Sequence, residues 1–312
     1  MSKSNVNKLS ISEFISVIKK TFVEFFQEQS FFHGAALAYY GIFALVPTLY
    51  LALLSFGQFI GQDAILVMID KLLKEQVGLQ DSAAILDFLR NGNFEKSSLV
   101  MNVVGVFALL LSSSALLSSL RTSINEFYDI KISIADRKKR IKHTIGSKLL
   151  SIILLPMFTS VIMIMYFGET LLMSIGHQLF EDPNGLEQLV LSSALTIFSI
   201  VMNGLLFTLV FKFVHDGFVT FRTAFVGGLI TAILLLFGQL IIKYYLQNYF
   251  FGSKAGVAGT ILVLLVWMYY TSQIIFIGAK FTKVYAADLG TPILFKGRKK
   301  RKPNVSEVVS AE

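Results

Sequence analysis

The sequence predicts an all-α integral membrane protein with six transmembrane helices, both termini in the cytoplasm and an N-terminal interfacial amphipathic helix. Of its 312 residues, 54% are hydrophobic and 15% are charged, whereas a soluble domain has about 45–50% and about 25%. The hydrophobic residues are concentrated in six stretches that lack Asp, Glu, Lys and Arg. This composition excludes an ordinary soluble protein and a disordered one.

Each uncharged stretch is long enough to cross the hydrocarbon core, which needs about 20 apolar residues in a helix. A helix is expected because lipid offers no hydrogen-bond partner to an open backbone. The six form a membrane domain over residues 31–286, after an N-terminal segment (1–30) and before a basic tail (287–312) that we expect to be disordered. The predicted spans are 35–61, 97–120, 149–168, 188–211, 223–242 and 255–279.

The basic residues predict the orientation of these spans. Six spans place both termini on one side, and 22 of the 28 Lys and Arg residues fall on that side, with six on the other. Cytoplasmic loops carry the excess of Lys and Arg in membrane proteins. We therefore expect both termini to be cytoplasmic.

Residues 11–26 have the spacing of an amphipathic helix. Lys19, Lys20 and Glu24 lie off the apolar face of this helix. The pattern favours a helix lying on the inner leaflet, and the alternative is a cytoplasmic helix packed on the loops. The apolar residues at helical spacing are Ile11, Phe14, Ile15, Ile18, Phe22, Phe25 and Phe26.

The longest outer loop, residues 63–90, predicts two short amphipathic helices separated near Gly78. Apolar residues recur at helical spacing on both sides of this glycine, around Ile69 and around Leu86. We expect both helices to lie at the outer surface.

Lone polar residues in the spans are the first candidates for a substrate path, because such residues are costly in lipid. Arg121 is the first charge after 24 uncharged residues, and Asn125 and Tyr128 follow on the same helix face at i+4 and i+7. The alternative for the uncharged ones is ordinary hydrogen bonding between helices. The substrate-path candidates are Arg121, Asn125, Tyr128, Asn102, Asn203, Gln239 and Gln273.

Two basic clusters lie on the predicted cytoplasmic side and are candidates for binding anionic lipid headgroups. A Lys or Arg near an anionic leaflet contributes about 1 kcal/mol. The alternative is that these residues only set the topology. The candidates are Arg137, Lys138, Lys139, Arg140, Arg298, Lys299, Lys300 and Arg301.

Prolines and small residues predict special helix packing. Pro47 and Pro156 fall inside predicted spans, where each leaves a carbonyl without its usual partner and favours a kink. Gly252, Gly256 and Gly259 form a small-residue pattern of the kind that lets helices approach closely.

Catalytic signatures are missing from the sequence. There is no Cys, the four His residues are scattered without metal-ligand spacing, and there is no Gly-rich phosphate loop. A metal-dependent nuclease needs clustered acids, and none are found. We therefore expect no enzyme activity, no metal and no other cofactor, and membrane lipids rather than nucleic acid as partners. The sequence leaves a homo-oligomer open.

Three segments resemble the YihY/BrkB family of bacterial membrane proteins, which was long mislabelled as ribonuclease BN. They are HGAALAYYGIFALVPTLY at 33–50, LRTSINEFYDI at 120–130, and residues 211–286, which include VHDGFVTFRTAFVGGL. The resemblance implies a six-helix protein of the bacterial inner membrane, in a family sometimes linked to virulence or envelope functions. It implies no established chemistry, and it gives no support to a ribonuclease.

Two acidic positions of the family pattern are missing here. Leu236 and Gln239 flank Gly238 where the family often carries a Glu near a Gly-Lys pair. The family usually reads Gly-Ala-Glu near the end of span six, where this chain has Lys280 after Gly278 and Ala279.

Two functions fit these observations. The first is transport or flipping of an amphipathic or anionic envelope molecule, such as a lipid. The second is a scaffold that organises envelope lipids or partner proteins without transport. A hydrated cavity that reaches both leaflets would favour the first, and a dry bundle with an exposed groove would favour the second.

Overall fold

A computed structural model describes residues 10–27, 30–79, 82–91, 99–130, 137–180, 185–249 and 256–295. Six long helices dominate this part of the chain. Each predicted span falls on one of them to within two residues. They are α2 (Ser30–Ile60), α5 (Leu99–Phe127), α6 (Arg137–Leu179), α7 (Leu186–Phe213), α8 (Phe221–Tyr249) and α9 (Gly256–Asp288).

Three helical segments within the described residues are long and apolar enough to cross a membrane: Leu186–Phe213, Phe221–Tyr245 and Ala258–Asp288. They lie on α7, α8 and α9. The protein is therefore an all-α protein with the helices of a membrane protein. The full set of six spans and the orientation of the termini stay predictions.

The helix α6 is much longer than its predicted span. It covers 43 residues, from Arg137 to Leu179, whereas the uncharged window covers only 149–168. Charged residues at a span end do not stop a helix, because they can reach water or headgroups from its last turns. Counting uncharged residues therefore locates a span and underestimates its helix.

The helices α7 and α8 form the most extensive helix pair of the described residues. Their backbones approach closely at two glycines. A Cβ atom added to Gly228 would lie 2.5 Å from the Gly204 carbonyl oxygen and 2.8 Å from the Thr208 backbone nitrogen. Any side chain at Gly228 would therefore force the two helices apart.

A short turn and a two-residue strand join α7 to α8. Strand β1 (Gly217–Phe218) pairs antiparallel with β2 (Leu294–Phe295), with Gly217 opposite Phe295. This pairing holds the chain that follows α9 against the turn that follows α7. The basic tail and the turn after α7 both lie on the predicted cytoplasmic side.

The N-terminal helix α1 (Ile11–Gln27) begins with a capping box. The Ser10 backbone N–H donates to the Glu13 carboxylate (2.6 Å), and the Glu13 N–H donates to the Ser10 hydroxyl (3.3 Å). The hydrogen bonds from Ser10 lower the pKa of Glu13 below its ordinary value. A helix is thus confirmed for residues 11–26.

The apolar face of α1 divides into two parts. Phe14 and Ile18 pack against the buried cluster of Val17 with Phe281 and Val284 of α9, so one part packs on the last helix and not only on loops. The other part remains exposed, with Ile11 at 83% and Phe26 at 63% of their accessible surface. That exposed stripe suits a membrane interface, and contact with lipid stays a prediction.

The predicted outer loop contains the two expected helices, α3 (Gln62–Leu72) and α4 (Ala83–Asn91). A π-helical turn over Leu73–Val77 prolongs α3. The turn ends at Gly78, whose φ of 79° is left-handed and favours glycine. Asp70 accepts hydrogen bonds from Lys74 and from Ser82, which precedes α4. These bonds lower the pKa of Asp70 and connect α3 to the start of α4.

Candidate functional site: a buried ion pair at one end of the helix bundle

The last turns of α5 meet the turn after α7, which is formed by residues 214–217. Arg121, Asn125 and Tyr128 lie on the α5 face that meets this turn, as the i, i+4, i+7 spacing predicts. All three contact His215 or Asp216. The predicted polar strip is therefore a contact between two helix ends.

Asp216 is the centre of this contact. Its carboxylate lies 3.4 Å from the Arg121 guanidinium, and both side chains are largely buried, at 12% exposed for Arg121 and 7% for Asp216. The Asn125 amide donates to the same carboxylate at 2.7 Å, and its oxygen accepts from the Asp216 backbone N–H at 2.9 Å. The Asn125 side chain therefore holds both the carboxylate and the backbone N–H of Asp216.

The sequence predicts an Arg121 guanidinium at headgroup depth, ready for an anionic ligand. In the structure this guanidinium is held by Asp216, so an incoming anion has to compete with a carboxylate. The Nε–H of Arg121 is buried and has no hydrogen-bond partner among the described residues. Arg121 therefore keeps one donor that its protein partners do not use.

His215 is fully buried beside this ion pair. The Gly217 backbone N–H donates to its Nδ1 at 2.9 Å, and its Nε2 lies 2.5 Å from the Phe211 carbonyl oxygen. An Nδ1 that accepts and an Nε2 that donates indicate a neutral ring. Tyr128 packs edge-on against the ring at 4.9 Å, and burial raises the pKa of the Tyr128 phenol.

A second charged cluster connects α1, α5 and α9. Lys280 has no exposed surface, and its Nζ lies 3.4 Å from the Glu24 carboxylate and 3.4 Å from the Phe127 carbonyl oxygen. Lys283 is 3.6 Å from the same Glu24 carboxylate and also pairs with Asp129. Lys280 occupies the place where the family pattern has an acid, and here it contacts an acid of the N-terminal helix.

His33 joins the start of α2 to α5. Its Nδ1 lies 3.0 Å from the Ser123 hydroxyl, and its Nε2 lies 3.1 Å from the Glu126 carboxylate. The Glu126 side chain is 63% exposed, while Ser123 is buried within its helix. This arrangement fixes the entry of α2 and adds a third polar contact at the same end of the bundle.

Gln273 is the predicted path residue with the least satisfied side chain. Neither atom of its amide has a hydrogen-bond partner in the described part of the chain, although both are buried. It packs on Gly34, where an added Cβ would lie 1.9 Å from its Nε2. The Tyr270 hydroxyl, one turn away on α9, is also buried without a described partner, against Gly238 of α8.

The other polar candidates are placed differently. Asn203 donates to the Ser199 carbonyl at 2.9 Å, which is a bond within its own helix and not one between helices. Gln239 is half-buried on α8 and interacts with another group of the protein. Asn102 lies on α5, but its side chain is outside the described residues.

Several candidates fall outside what the structure describes. The first basic cluster begins α6, but the side chains of Arg137, Lys138, Lys139 and Arg140 are not described. The second cluster, Arg298, Lys299, Lys300 and Arg301, lies wholly outside the described residues. Their roles in binding headgroups stay predictions.

The predicted packing residues have mixed outcomes. The helices α2 and α6 continue through Pro47 and Pro156 without a break. Gly252 lies outside the described residues, Gly256 begins α9, and Gly259 is buried. A close approach of two helix backbones that the structure does describe lies at Gly204 and Gly228.

Sequence reasoning missed the three acids that complete these clusters, Asp216, Glu24 and Asp129. Asp216 is 95 residues from Arg121. The useful signal was an acid in a short loop on the same predicted side as Arg121, directly after a span. Within the described residues, no group of three or more His, Cys, Asp and Glu residues could hold a metal.

A comparison with protein-family models matches the chain over residues 21–303 to the family described as virulence factor BrkB. The chain belongs to the virulence factor BrkB family. The match includes both charged clusters and all six long helices. The resemblance carried by residues 33–50, 120–130 and 211–286 is thereby confirmed.

Curated relatives of this BrkB-family chain are named UPF0761 membrane proteins. The Teredinibacter turnerae protein is 24% identical over 268 residues, 86% of this chain and 60% of that protein. The Alkalilimnicola ehrlichii protein is 23% identical over 264 residues, with 82% and 55% covered. The Psychromonas ingrahamii protein is 37% identical over 91 residues, with 28% and 30% covered.

The chain therefore spans less than two thirds of the length of these relatives. No solved structure matches it. The family and the relatives' names identify a membrane protein.

Proposed function

We propose that this BrkB-family protein binds an anionic, lipid-like envelope molecule and moves it between the two leaflets of the bacterial inner membrane. The observation that carries the proposal is the buried Arg121–Asp216 pair at the predicted cytoplasmic end of span two. An Arg guanidinium cannot lose its charge in a protein. A permanent cation inside an apolar bundle, with an unused N–H, is suited to exchange one anion for another.

The exchange would proceed at the guanidinium. A lipid phosphate can take the place of the Asp216 carboxylate, because the planar fork can bind a phosphate in a bidentate manner, whereas Asp216 lies near one of its nitrogens at 3.4 Å. Asn125 would keep holding Asp216 through its two hydrogen bonds while Arg121 turns to the phosphate. The Asp216 carboxylate thus acts as an internal competitor that closes the site when no ligand is bound.

Buried polar atoms without described hydrogen-bond partners extend from the Arg121 end of the bundle into its interior. The Gln273 amide and the Tyr270 hydroxyl lie on α9, two to three turns before Lys280. Buried polar groups without partners are expensive. A polar headgroup or accompanying water passing along α9 would satisfy them, which supports a path and not only a binding site.

A second candidate function is favoured by a different observation. The cavity described below is apolar and opens sideways, whereas a transporter at rest could show a hydrated passage. This favours a scaffold that binds envelope lipids without moving them. In that function the buried pair would stabilise the bundle and take no part in ligand binding. Neither function requires enzyme chemistry.

Native mass spectrometry of gently extracted protein tests the binding step. We expect wild-type protein to retain anionic phospholipid in preference to zwitterionic phospholipid. Arg121→Lys should lose that preference, because it keeps the charge and removes the fork. Arg222→Lys is the matched control, since Arg222 is exposed on the same predicted side. Equal retention by wild type and Arg121→Lys would contradict a site at Arg121.

A further inference from the structure

A cavity of about 420 Å³ lies at the opposite part of the bundle from the charged clusters. It is enclosed by α2, by the outer-loop helix α4 and by the beginning of α9. Leu264 in the cavity and Lys280 in the charged cluster are 16 residues apart on α9, which is about 24 Å along a helix. The lining includes Leu45, Leu49, Ile85, Phe88, Thr260 and Leu264.

The lining makes this cavity a poor site for water. Among the described residues that line it, Thr260 is the only polar one. A bound water needs two to four polar partners, and apolar cavities without them stay dry. An unfilled apolar cavity, in turn, loses the dispersion contacts that a close-packed interior would have. An apolar occupant resolves both problems.

The cavity opens towards the side of the bundle that faces lipid in the predicted topology. Phe43 of α2, Phe88 of α4 and Ile261 of α9 line it and are 58%, 56% and 49% exposed. Exposed apolar residues continue along α9 at Leu262 and Leu265. The cavity mouth is thus continuous with the apolar surface that meets the acyl chains of the outer leaflet.

The helix α4 is built to cover a lipid chain at the membrane surface. Ile85, Phe88 and Leu89 face the cavity, whereas Asp87 and Arg90 are exposed and lie on the opposite side of the helix by its 3.6-residue period. A helix of this kind lies at the headgroup level with its apolar side inward. Its polar side would then be next to the headgroup of a lipid whose chain lies beneath it.

We propose that this cavity binds one acyl chain of a membrane phospholipid, with α4 as its cover. The occupant is a phospholipid chain because the lining is almost wholly apolar, the mouth joins the lipid-facing surface, and the cover is amphipathic. The site is separate from Arg121. It stands whether or not the protein moves lipid between leaflets.

The chain contains a natural reporter for this site. Trp267 is the only Trp in the sequence. It packs in the same apolar cluster as Leu45, Leu264 and Leu89, all of which line the cavity. A brominated acyl chain quenches Trp fluorescence at short range, so a chain in the cavity should quench Trp267 directly.

The experiment titrates the full chain in detergent micelles with phosphatidylglycerol brominated on its acyl chains, so that no other phospholipid chain competes for the cavity. We expect wild-type Trp267 to show a steep, saturable quenching at low fractions of this lipid, followed by the gradual quenching caused by surrounding lipid. Thr260→Phe fills the cavity and should remove the steep component. Thr196→Phe, at an exposed position of α7, is the matched control and should keep it.

Ile261→Phe, at the mouth, provides a second test if Thr260→Phe does not fold, and it should also remove the steep component. Gradual quenching alone in the wild-type protein would overturn the proposal. A steep component that persists in both cavity variants, or that disappears in Thr196→Phe as well, would also overturn it. Loss confined to the cavity variants would establish the chain site even in a protein that does not transport lipid.

Discussion

The Arg121 guanidinium and the Asp216 carboxylate lie 3.4 Å apart and are both largely buried, so one ion pair connects the end of α5 to the turn between α7 and α8. The two residues come from segments 95 positions apart. Removing one member of a buried pair leaves the other charge without compensation. This relationship contributes to the stability of that end of the bundle, and in the proposed function it also controls the binding of an anion.

Arg121→Ala should therefore destabilise the protein. The free energy of unfolding in mild detergent is expected to fall by about 3–5 kcal/mol, the usual cost of breaking a buried pair. The double variant Arg121→Ala with Asp216→Asn should recover part of that loss, because it also removes the buried negative charge. Arg222→Ala, at an exposed position, serves as control and should change the free energy by about 0.5 kcal/mol or less. Equal stability of the Arg121→Ala and Arg222→Ala variants would contradict a structural ion pair.

Glu24→Gln should destabilise the protein more than is usual for a partly exposed residue. Lys280 has no exposed surface and pairs with Glu24, so we expect a loss of about 1–3 kcal/mol in the free energy of unfolding. Asp288→Asn is a matched control, because its partner Lys20 is 52% exposed. That change should cost less than about 1 kcal/mol. Chemical denaturation of both variants measures the difference, and equal losses would mean that Lys280 is compensated elsewhere.

Gly228→Ala should separate α7 from α8. A Cβ atom at this position meets backbone atoms of α7, which cannot rotate away, and overpacking of this kind costs about 1–3 kcal/mol. Gly146→Ala is the matched control, because nothing lies within 4 Å of its added Cβ. It should be neutral or stabilising, since Ala favours a helix by about 1 kcal/mol over Gly. A Gly228→Ala protein with the thermal stability of Gly146→Ala would contradict the close approach.

Reporter fusions test the orientation that the basic residues predict. Reporters placed after residues 135 and 300 should be active in the cytoplasm, and one placed at residue 183 should be active outside. The reason is the distribution of Lys and Arg, 22 on one side and six on the other. A reporter after residue 135 that is active only outside the cytoplasm would reverse the whole topology.

Much of the fold could be predicted from the sequence because its strongest signals are local. The stretches without charged residues predicted the six long helices, and apolar residues at helical spacing predicted α1, α3 and α4. The ends of α6 were missed, because a helix can continue through charged residues beyond an uncharged stretch. The left-handed Gly78 was predicted as a break, since glycine punctuates an amphipathic pattern at that point.

Only the part of the candidate site that lies on α5 could be predicted from the sequence. The α5 face of Arg121, Asn125 and Tyr128 follows from helical periodicity within eight residues. Asp216 and Glu24 come from distant segments, and local patterns contain no information on which helix ends meet. The apolar cavity was not predicted either, because it depends on how α4 folds back over α2 and α9.

The most direct test of the proposed function is a lipid-exchange assay in sealed vesicles containing the purified protein. Phosphatidylglycerol with a fluorescent headgroup is present in both leaflets, and a membrane-impermeant reductant is added outside. The account predicts that wild-type protein exposes the inner-leaflet lipid to bleaching, that Arg121→Lys slows this exchange at least severalfold, and that Arg222→Lys does not. Bleaching confined to the outer leaflet with wild-type protein would contradict transport and favour a scaffold.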